Sequence, residues 1–320
     1  MNQLNQRSTN GQAVEEVLRP ILYADIFDYP LTFEEIYKFL EFKIAPEEVK
    51  NLLDQAIDHQ EIVLIDNFYS LADKAHLVSK RRERWLMSQT LWPKAIHYGR
   101  WIASLPFVRM VSVTGSLAVD NPRDGVDDID YLIVTRPKRL WFCRALIILM
   151  VRYGRLRGVQ LCPNYLLTEN VLYFEENNLF TAREMLQMIP LYGQEFYVKM
   201  REINTWVTDY LPQGAGLNLA KINDQLSPGQ SLLKKLGEFI LGGLGGDLLE
   251  KLLQKIQITK HTRLAEKYGA LDKVVFTADT CKGHYDGHNQ KTMRAYQQRL
   301  QAHAINGKLH SINGKVKNWE

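Results

Sequence analysis

Cysteine is scarce in this chain: Cys143, Cys162 and Cys281 are the only three in 320 residues, and none stands at metal-ligand spacing from another. An odd, isolated set excludes a disulfide framework and fits reduced thiols. Long apolar runs are missing as well. The most apolar stretch, residues 145–151, is closed off by Arg144 and Arg152 and is far too short to span a bilayer. The opening residues, MNQLNQRSTNGQ, lack the apolar segment of a secretory signal. A cytoplasmic protein with no membrane contact is the expectation. Nor is there a large charge excess. Forty Lys and Arg against 36 Asp and Glu leave a net charge of +4, which does not by itself imply nucleic acid. Hydrophobic content of 46% and charged content of 24% describe an ordinary globular chain, long enough for two or three domains.

Acid is locally absent in one place. Residues 131–168 contain no Asp or Glu, but do contain Arg136, Lys138, Arg139, Arg144, Arg152, Arg155 and Arg157. Immediately before this basic stretch lies the richest motif of the chain. An apolar strand (Val111, Val113) runs into Gly115-Ser116, and twelve residues after Ser116 comes Asp128 in Asp-Asp-Ile-Asp-Tyr-Leu-Ile-Val. Side chains alternate along a strand, so Asp128 and Asp130 share a face. Two carboxylates on one face repel unless a cation lies between them. A hard divalent ion with oxygen ligands and open positions for phosphate, Mg2+ or Mn2+, suits such a pair. Gly115 permits close backbone approach, and Ser116 offers a hydroxyl and an amide to a phosphate. Arg136 and Arg139, nearest the carboxylates in sequence, are the phosphate-binding candidates of the basic stretch. Arg152, Arg155 and Arg157 read equally well as a solvated helix face.

This segment, residues 108–170, resembles the signature of the DNA polymerase beta-like nucleotidyltransferase superfamily: apolar strand, Gly-Ser, spacer, then Asp-x-Asp in a second apolar strand. The resemblance implies an α+β fold with a small mixed sheet flanked by helices. It also implies transfer of a nucleoside monophosphate from an NTP such as ATP to an unidentified acceptor. Asp128 and Asp130 would be the catalytic, metal-holding pair, with Gly115 and Ser116 on the β- and γ-phosphates. A third carboxylate is expected on a later strand antiparallel to the first two. The candidate strand, residues 161–167, carries Asn164 there, with Glu169 near its end. An amide oxygen can ligate Mg2+ but brings no charge. Two other readings therefore stand beside the enzyme: an NTP-binding regulator with weak or no catalysis, and an antitoxin-like transferase that modifies a partner protein.

Around the core, residues 14–72 read as a winged-helix-like domain. Apolar residues at helical spacing (Val14, Val17, Leu18, Ile21, Leu22) open it. Thr32 with Glu35 forms a capping box for a helix to about Phe42. Pro46-Glu47-Glu48 starts a third helix, and residues 62–65 and 68–71 flank Asp66-Asn67 as a hairpin. From Asp28 to Glu61 there are nine acids against three lysines, the wrong sign for approaching phosphates. A structural or protein-binding role is expected for this domain, and no specific DNA binding. Residues 73–105 read as a helical connector with Lys80, Arg81, Arg82 and Arg84, broken or kinked at Pro93. Its tryptophans Trp85, Trp92 and Trp101 are expected to pack on the catalytic sheet. The catalytic core spans 106–180, a helical region 181–304 and a polar tail 305–320. In the helical region Thr181 and Glu184 suggest a second capping box, and residues 194–210 an amphipathic helix. Residues 212–231 read as a linker, and the glycine run 242–246 as a turn between two helices. His284 and His288, four apart around Asp286, look superficially like a metal pair, but Gly287 between them favours a loop or helix start.

Overall fold

The computed structural model describes residues 2–123, 127–283 and 287–306, with the backbone alone for 2–12 and 304–306. Its amino-terminal unit comprises helices α1 (Asn2–Asp25), α2 (Phe33–Lys38) and α3 (Pro46–Asp58), then strands β1 (Ile62–Ile65) and β2 (Phe68–Leu71). Val17, Leu18, Ile21 and Leu22 of α1 are all buried against Ile36 and Leu53, which is what their 3.6-residue period demands. The capping box forms as read, with Glu35 N donating to Thr32 Oγ1 (3.3 Å) and Thr32 N to Glu35 Oε2 (2.9 Å). α2 nevertheless ends at Lys38 rather than Phe42. Asp66 and Asn67 both take positive φ, the twist that a two-residue hairpin needs. Leu31 pairs with Tyr69 across from β1, so the hairpin acquires a third short partner.

Helix α4 (Leu77–Ala103) continues through Pro93, so the chain is not broken there. Its basic cluster faces the amino-terminal unit. Lys80 meets Asp28 at 2.5 Å and Arg82 meets Asp66 at 2.6 Å. Arg81 pairs with Glu35 at 3.2 Å, and its guanidinium lies 3.8 Å from the Tyr29 ring centroid. Several of the unit's surplus acids are thus answered within the chain. Of the tryptophans only Trp92 packs inward, donating to Asp120 Oδ1 at 2.7 Å. Trp85 and Trp101 are about half exposed, which corrects the expectation for those two.

The central sheet follows: β3 (Val108–Thr114), the short helix α5 (Gly115–Ala118), β4 (Ile129–Thr135), helix α6 (Leu140–Leu156) and β5 (Leu161–Thr168). Next come α7 (Leu179–Gln187), β6 (Ile189–Tyr192), α8 (Gln194–Ile203) and α9 (Val207–Tyr210). The chain closes with α10 (Pro228–Leu241), α11 (Leu244–Lys267), β7 (Val275–Phe276), β8 (Thr280–Lys282) and α12 (His288–Asn306). The six strands lie in the order β6-β3-β4-β5-β8-β7. β3 is antiparallel to β4 and β6, whereas β5 is parallel to β4. A parallel pair needs a crossover back to the starting end of the sheet, and α6 supplies it. The architecture is mixed α/β, a mixed sheet flanked by helices. The region 181–304 is not purely helical, since it contributes β6, β7 and β8.

Strand alternation sends Ile129, Tyr131 and Ile133 into a core shared with α4 and α6. Leu132 and Val134 enter a second core shared with α7, α8, α12 and the amino-terminal helices. The amino-terminal unit and one face of the sheet therefore bury their apolar residues together. Helix α7 is capped by Asn178, which accepts from Thr181 N at 2.9 Å, so Glu184 is not a capping residue but lies inside the helix. The segment 194–210 is broken after Ile203 by buried Asn204, which accepts from Phe174 N (2.8 Å) and donates to Leu172 O (2.8 Å).

Candidate functional site

The Gly-Ser turn and the acidic strand lie side by side in the sheet. β3 ends at Thr114, whose Cα is paired with that of Asp130. Gly115 then takes φ +67°, and a Cβ built there would stand 2.3 Å from Asp130 Oδ2. Only glycine combines that dihedral with that contact. The Asp130 carboxyl thus sits on the bare backbone of residue 115. On its other side, Asn164 Nδ2 donates to Asp130 Oδ1 at 2.7 Å, and Cys162 Sγ donates to Asn164 Oδ1 at 3.1 Å.

Asn164 reaches Asp130 through an irregularity in β5. Asp130 is paired with Cys162, but Leu132 with Tyr165, so β5 carries one extra residue. Leu161 and Leu166, five apart, point into the same core, while Tyr165 and Leu167 point into the other. The parity of the strand flips between them, as at a β-bulge. Pro163 lies within the irregular stretch and has no N–H to lose from the ladder. Asn164 does stand beside the carboxylate pair, although β5 is parallel, not antiparallel, to β4.

A third acid joins the pair. Asp127 Oδ2 accepts from Ser116 Oγ and from Arg123 N, each at 2.9 Å, and its Oδ1 from Asp128 N at 3.2 Å. Ser116 is therefore held at the mouth of the site by Asp127, a residue singled out by neither spacing nor alternation even though it adjoins Asp128. Asp128 is exposed, while Asp127 and Asp130 are half-buried. Burial pushes the Asp130 carboxyl up to about 8. The charges of Asp128, Glu184 and Asp127 push the same way, and the neighbouring Cys162 thiol opposes them. Asp128 is raised by burial and by Asp127, with Arg155 opposing. Burial also raises half-buried Glu184 on α7 to about 7.

Arg136 and Arg139 are not brought to this site. They follow the far end of β4, and at ~3.3 Å per residue Arg136 stands roughly 20 Å from Asp130. Arg136 is exposed. Arg139 is buried and committed elsewhere: Nη2 donates to Leu241 O at 2.9 Å and Nη1 to Asp247 Oδ1 at 2.6 Å. Glu169 is at that end too, 3.6 Å from Arg109. Arg155 acts on Asp128, because the crossover helix returns its last turn to the end where β4 begins, and Arg84 acts on Asp127. His284 and Asp286 lie outside the described residues. His288 opens α12, with its ring beside Phe27 and Phe180.

Among the described residues no three His, Cys, Asp or Glu side chains form a ready metal cage. The donor set is nonetheless one that suits Mg2+, which is commonly held by one or two carboxylates together with substrate phosphates. Asp128 and Asp130 supply hard oxygens, and among the described residues neither is in an ion pair. Asp130, unfavourable as an anion in its present surroundings, is stabilised in that form by a cation. The chain shows no significant match to any family model, curated protein or solved structure.

Proposed function

We propose that the chain is a nucleotidyltransferase resembling the DNA polymerase beta-like superfamily, which moves a nucleoside monophosphate from an NTP to an acceptor hydroxyl. The observation that carries this reading is the seat of Asp130 on Gly115, with Asp127 and Asp128 at its edge. Asp128 and Asp130 are the residues that would hold Mg2+ or Mn2+. When bound, such an ion neutralises triphosphate charge and stabilises charge on the transferring phosphorus. Ser116, whose hydroxyl donates to Asp127, offers its amide to the β- and γ-phosphates, and its hydroxyl can join once it turns from Asp127. Asn164 fixes the rotamer of Asp130 by donating to Oδ1, which leaves Oδ2 turned toward residue 115. Arg155 adds positive charge at the same end. The acceptor oxygen forms its bond to the α-phosphorus as the bond to the β-phosphate oxygen breaks. Pyrophosphate leaves, and the hydroxyl proton passes to a carboxylate of the cluster. Positioning and electrostatics do most of this work.

The test is pyrophosphate release and label transfer from each of the four NTPs with Mg2+ or Mn2+, in the native chain and in Asp128→Asn and Asp130→Asn. Metal-dependent turnover lost in both variants is the expected result. One observation favours a second reading. Asn164, the candidate for the third-carboxylate position, is a hydrogen-bond donor to Asp130 and cannot take a proton. An NTP-binding regulator would bind the metal-nucleotide with no pyrophosphate release. In either case the three-helix and hairpin unit is proposed as a winged-helix domain that serves protein contact or rigidity. The outer face of α3, with Glu47, Glu48, Asp54 and Asp58 exposed, is acidic, and Arg81 ties the unit to the backbone of Val119 and Asp120 behind the Gly-Ser turn.

A further inference from the structure

Helices α10 and α11 form a hairpin at the sheet end remote from Asp130, and α10 is packed inside out. Its polar side chains point inward. Lys234 Nζ donates to Ala103 O at 2.8 Å and to Val108 O at 2.6 Å. Glu238 accepts from Phe107 N at 2.8 Å and meets Arg109 at 3.3 Å. Gly237 lies against Pro106, so the helix rides close to the core on its polar side. The apolar side, Leu232, Leu233, Leu236, Phe239 and Ile240, faces outward, with Leu232 67% and Phe239 86% exposed. Helix α11 continues the surface. Leu244, Leu248, Leu252 and Ile256 recur every four residues and are all exposed, Leu244 at 88% and Leu248 at 71%. Soluble proteins rarely leave so large a contiguous apolar face uncovered.

The charges on the hairpin are sorted by side. Between residues 228 and 265 the sequence has three acids, and each turns to an internal partner. Glu238 meets Phe107 and Arg109, Asp247 meets Arg139, and Glu250 caps the start of α6 through Trp141 N and Phe142 N. The exposed charges of this stretch are Lys235, Lys251, Lys255, Lys260 and Arg263, all positive, and exposed Glu266 and Lys267 follow in the last turn of α11. Along α11 the apolar stripe runs into this cationic one, so that Leu252, Ile256, Lys255, Lys260 and Arg263 line a single groove.

We infer that the α10–α11 hairpin is a monotopic membrane-binding element whose occupant is an anionic lipid surface. Leucines and a phenylalanine on one face, interleaved with cations, are what an interfacial helix presents to headgroups and acyl chains. A second copy of this chain fits less well. In a two-fold interface the same patch meets itself and sets lysines against lysines, while the exposed acid of the hairpin, Glu266, stands in the last turn of α11, away from Lys235 and Lys251. No described helix is long and apolar enough to cross a membrane, and an element lying in the interface needs none. This runs counter to the expectation of no membrane contact and does not rest on the transferase reading.

The test is flotation of the full chain with vesicles of phosphatidylcholine alone and of phosphatidylcholine with phosphatidylglycerol. Co-flotation with the anionic vesicles, weakened by salt, is expected. The triple variant Phe239→Ser, Leu244→Ser, Leu248→Ser should lose it while keeping the native circular dichroism, because all three side chains are exposed. Replacing Lys251, Lys255 and Lys260 one at a time with Gln should lower partitioning about five-fold each. The inference is overturned if the native chain stays unbound at low salt, or if the serine variant floats as well as the native chain. It is equally overturned if light scattering finds a dimer that the serine variant dissociates while neither protein binds vesicles, which would assign the face to a second copy.

Discussion

Asn164 donates a hydrogen bond of 2.7 Å to Asp130, so it holds the half-buried acid rather than adding to its charge. Asn164→Asp exchanges that donor for a second carboxylate. In metal-free buffer the variant should be less stable by about 1–3 kcal/mol, the cost of the lost bond and of the new repulsion. Saturating Mg2+ should restore the melting temperature, and turnover should match or exceed that of the native chain. A variant that stays destabilised and inactive with Mg2+ would make Asn164 a purely structural residue.

Gly115→Ala places a methyl group 2.3 Å from Asp130 Oδ2 at a φ of +67°. The strained dihedral alone costs about 1–3 kcal/mol, and the carboxyl must move. Loss of metal-nucleotide binding in titration calorimetry, with a lowered melting temperature, is the expected outcome. Unchanged binding would mean that this contact is dispensable.

The raised Asp130 carboxyl sets a pH dependence of unusual sign. Below the ordinary carboxylate value of 3.8 folded and unfolded chains both hold its proton; between there and about 8 only the folded chain does. Stability of the metal-free protein should therefore fall as pH rises through that window, by up to ~1.4 kcal/mol per pH unit for one group. Glu184, raised to about 7, contributes in the same direction. Urea denaturation at stepped pH should show a shallower fall in Asp130→Asn than in the native chain, and a shallower fall in the native chain when Mg2+ is present. Identical slopes in native and variant would remove Asp130 as the source.

Two arginines should separate stability from activity. Arg139→Met removes the bonds to Leu241 O and Asp247 and is expected to cost about 1–3 kcal/mol with kcat unchanged at low temperature. Arg155→Gln, at an exposed position, should leave the melting temperature within a degree or two and raise the KM for NTP. The reverse pattern would return the phosphate-binding role to Arg139.

Because the exposed face of α3 is acidic, a gel-shift or anisotropy titration with duplex DNA at physiological salt should find no sub-micromolar binding. A steeply salt-dependent affinity mapping to residues 14–72 would contradict this.

Local signals in the sequence carried the amino-terminal elements. The Thr32–Glu35 box, Pro46 before two glutamates and the Asp66-Asn67 turn each act within a few residues, and each is met in the fold. The Gly-Ser and Asp-x-Asp pairing was legible for the same reason, since two strands joined by a short spacer have little choice but to pair. Asp127 was equally visible as the first acid of Asp-Asp-Ile-Asp, but alternation drew attention to the residues two apart.

What sequence alone left open depends on neighbours distant along the chain. β6, β7 and β8 have four, two and three residues, too few for a period to register, and they exist because the edges of β3, β5 and then β8 itself offer partners. The basic run 136–157 contains both a structural arginine and one beside the acids. Only the parallel register of β5, which sends α6 back to the start of β4, separates Arg139 from Arg155. In α10 the sequence determines that leucines share one face and Lys234 lies on another. Tertiary structure decides which face turns inward. There the carbonyls of Ala103 and Val108 and the amide of Phe107 need charged partners more than the core needs further leucines, because an unmet polar group in the interior costs more than an exposed apolar one at the surface.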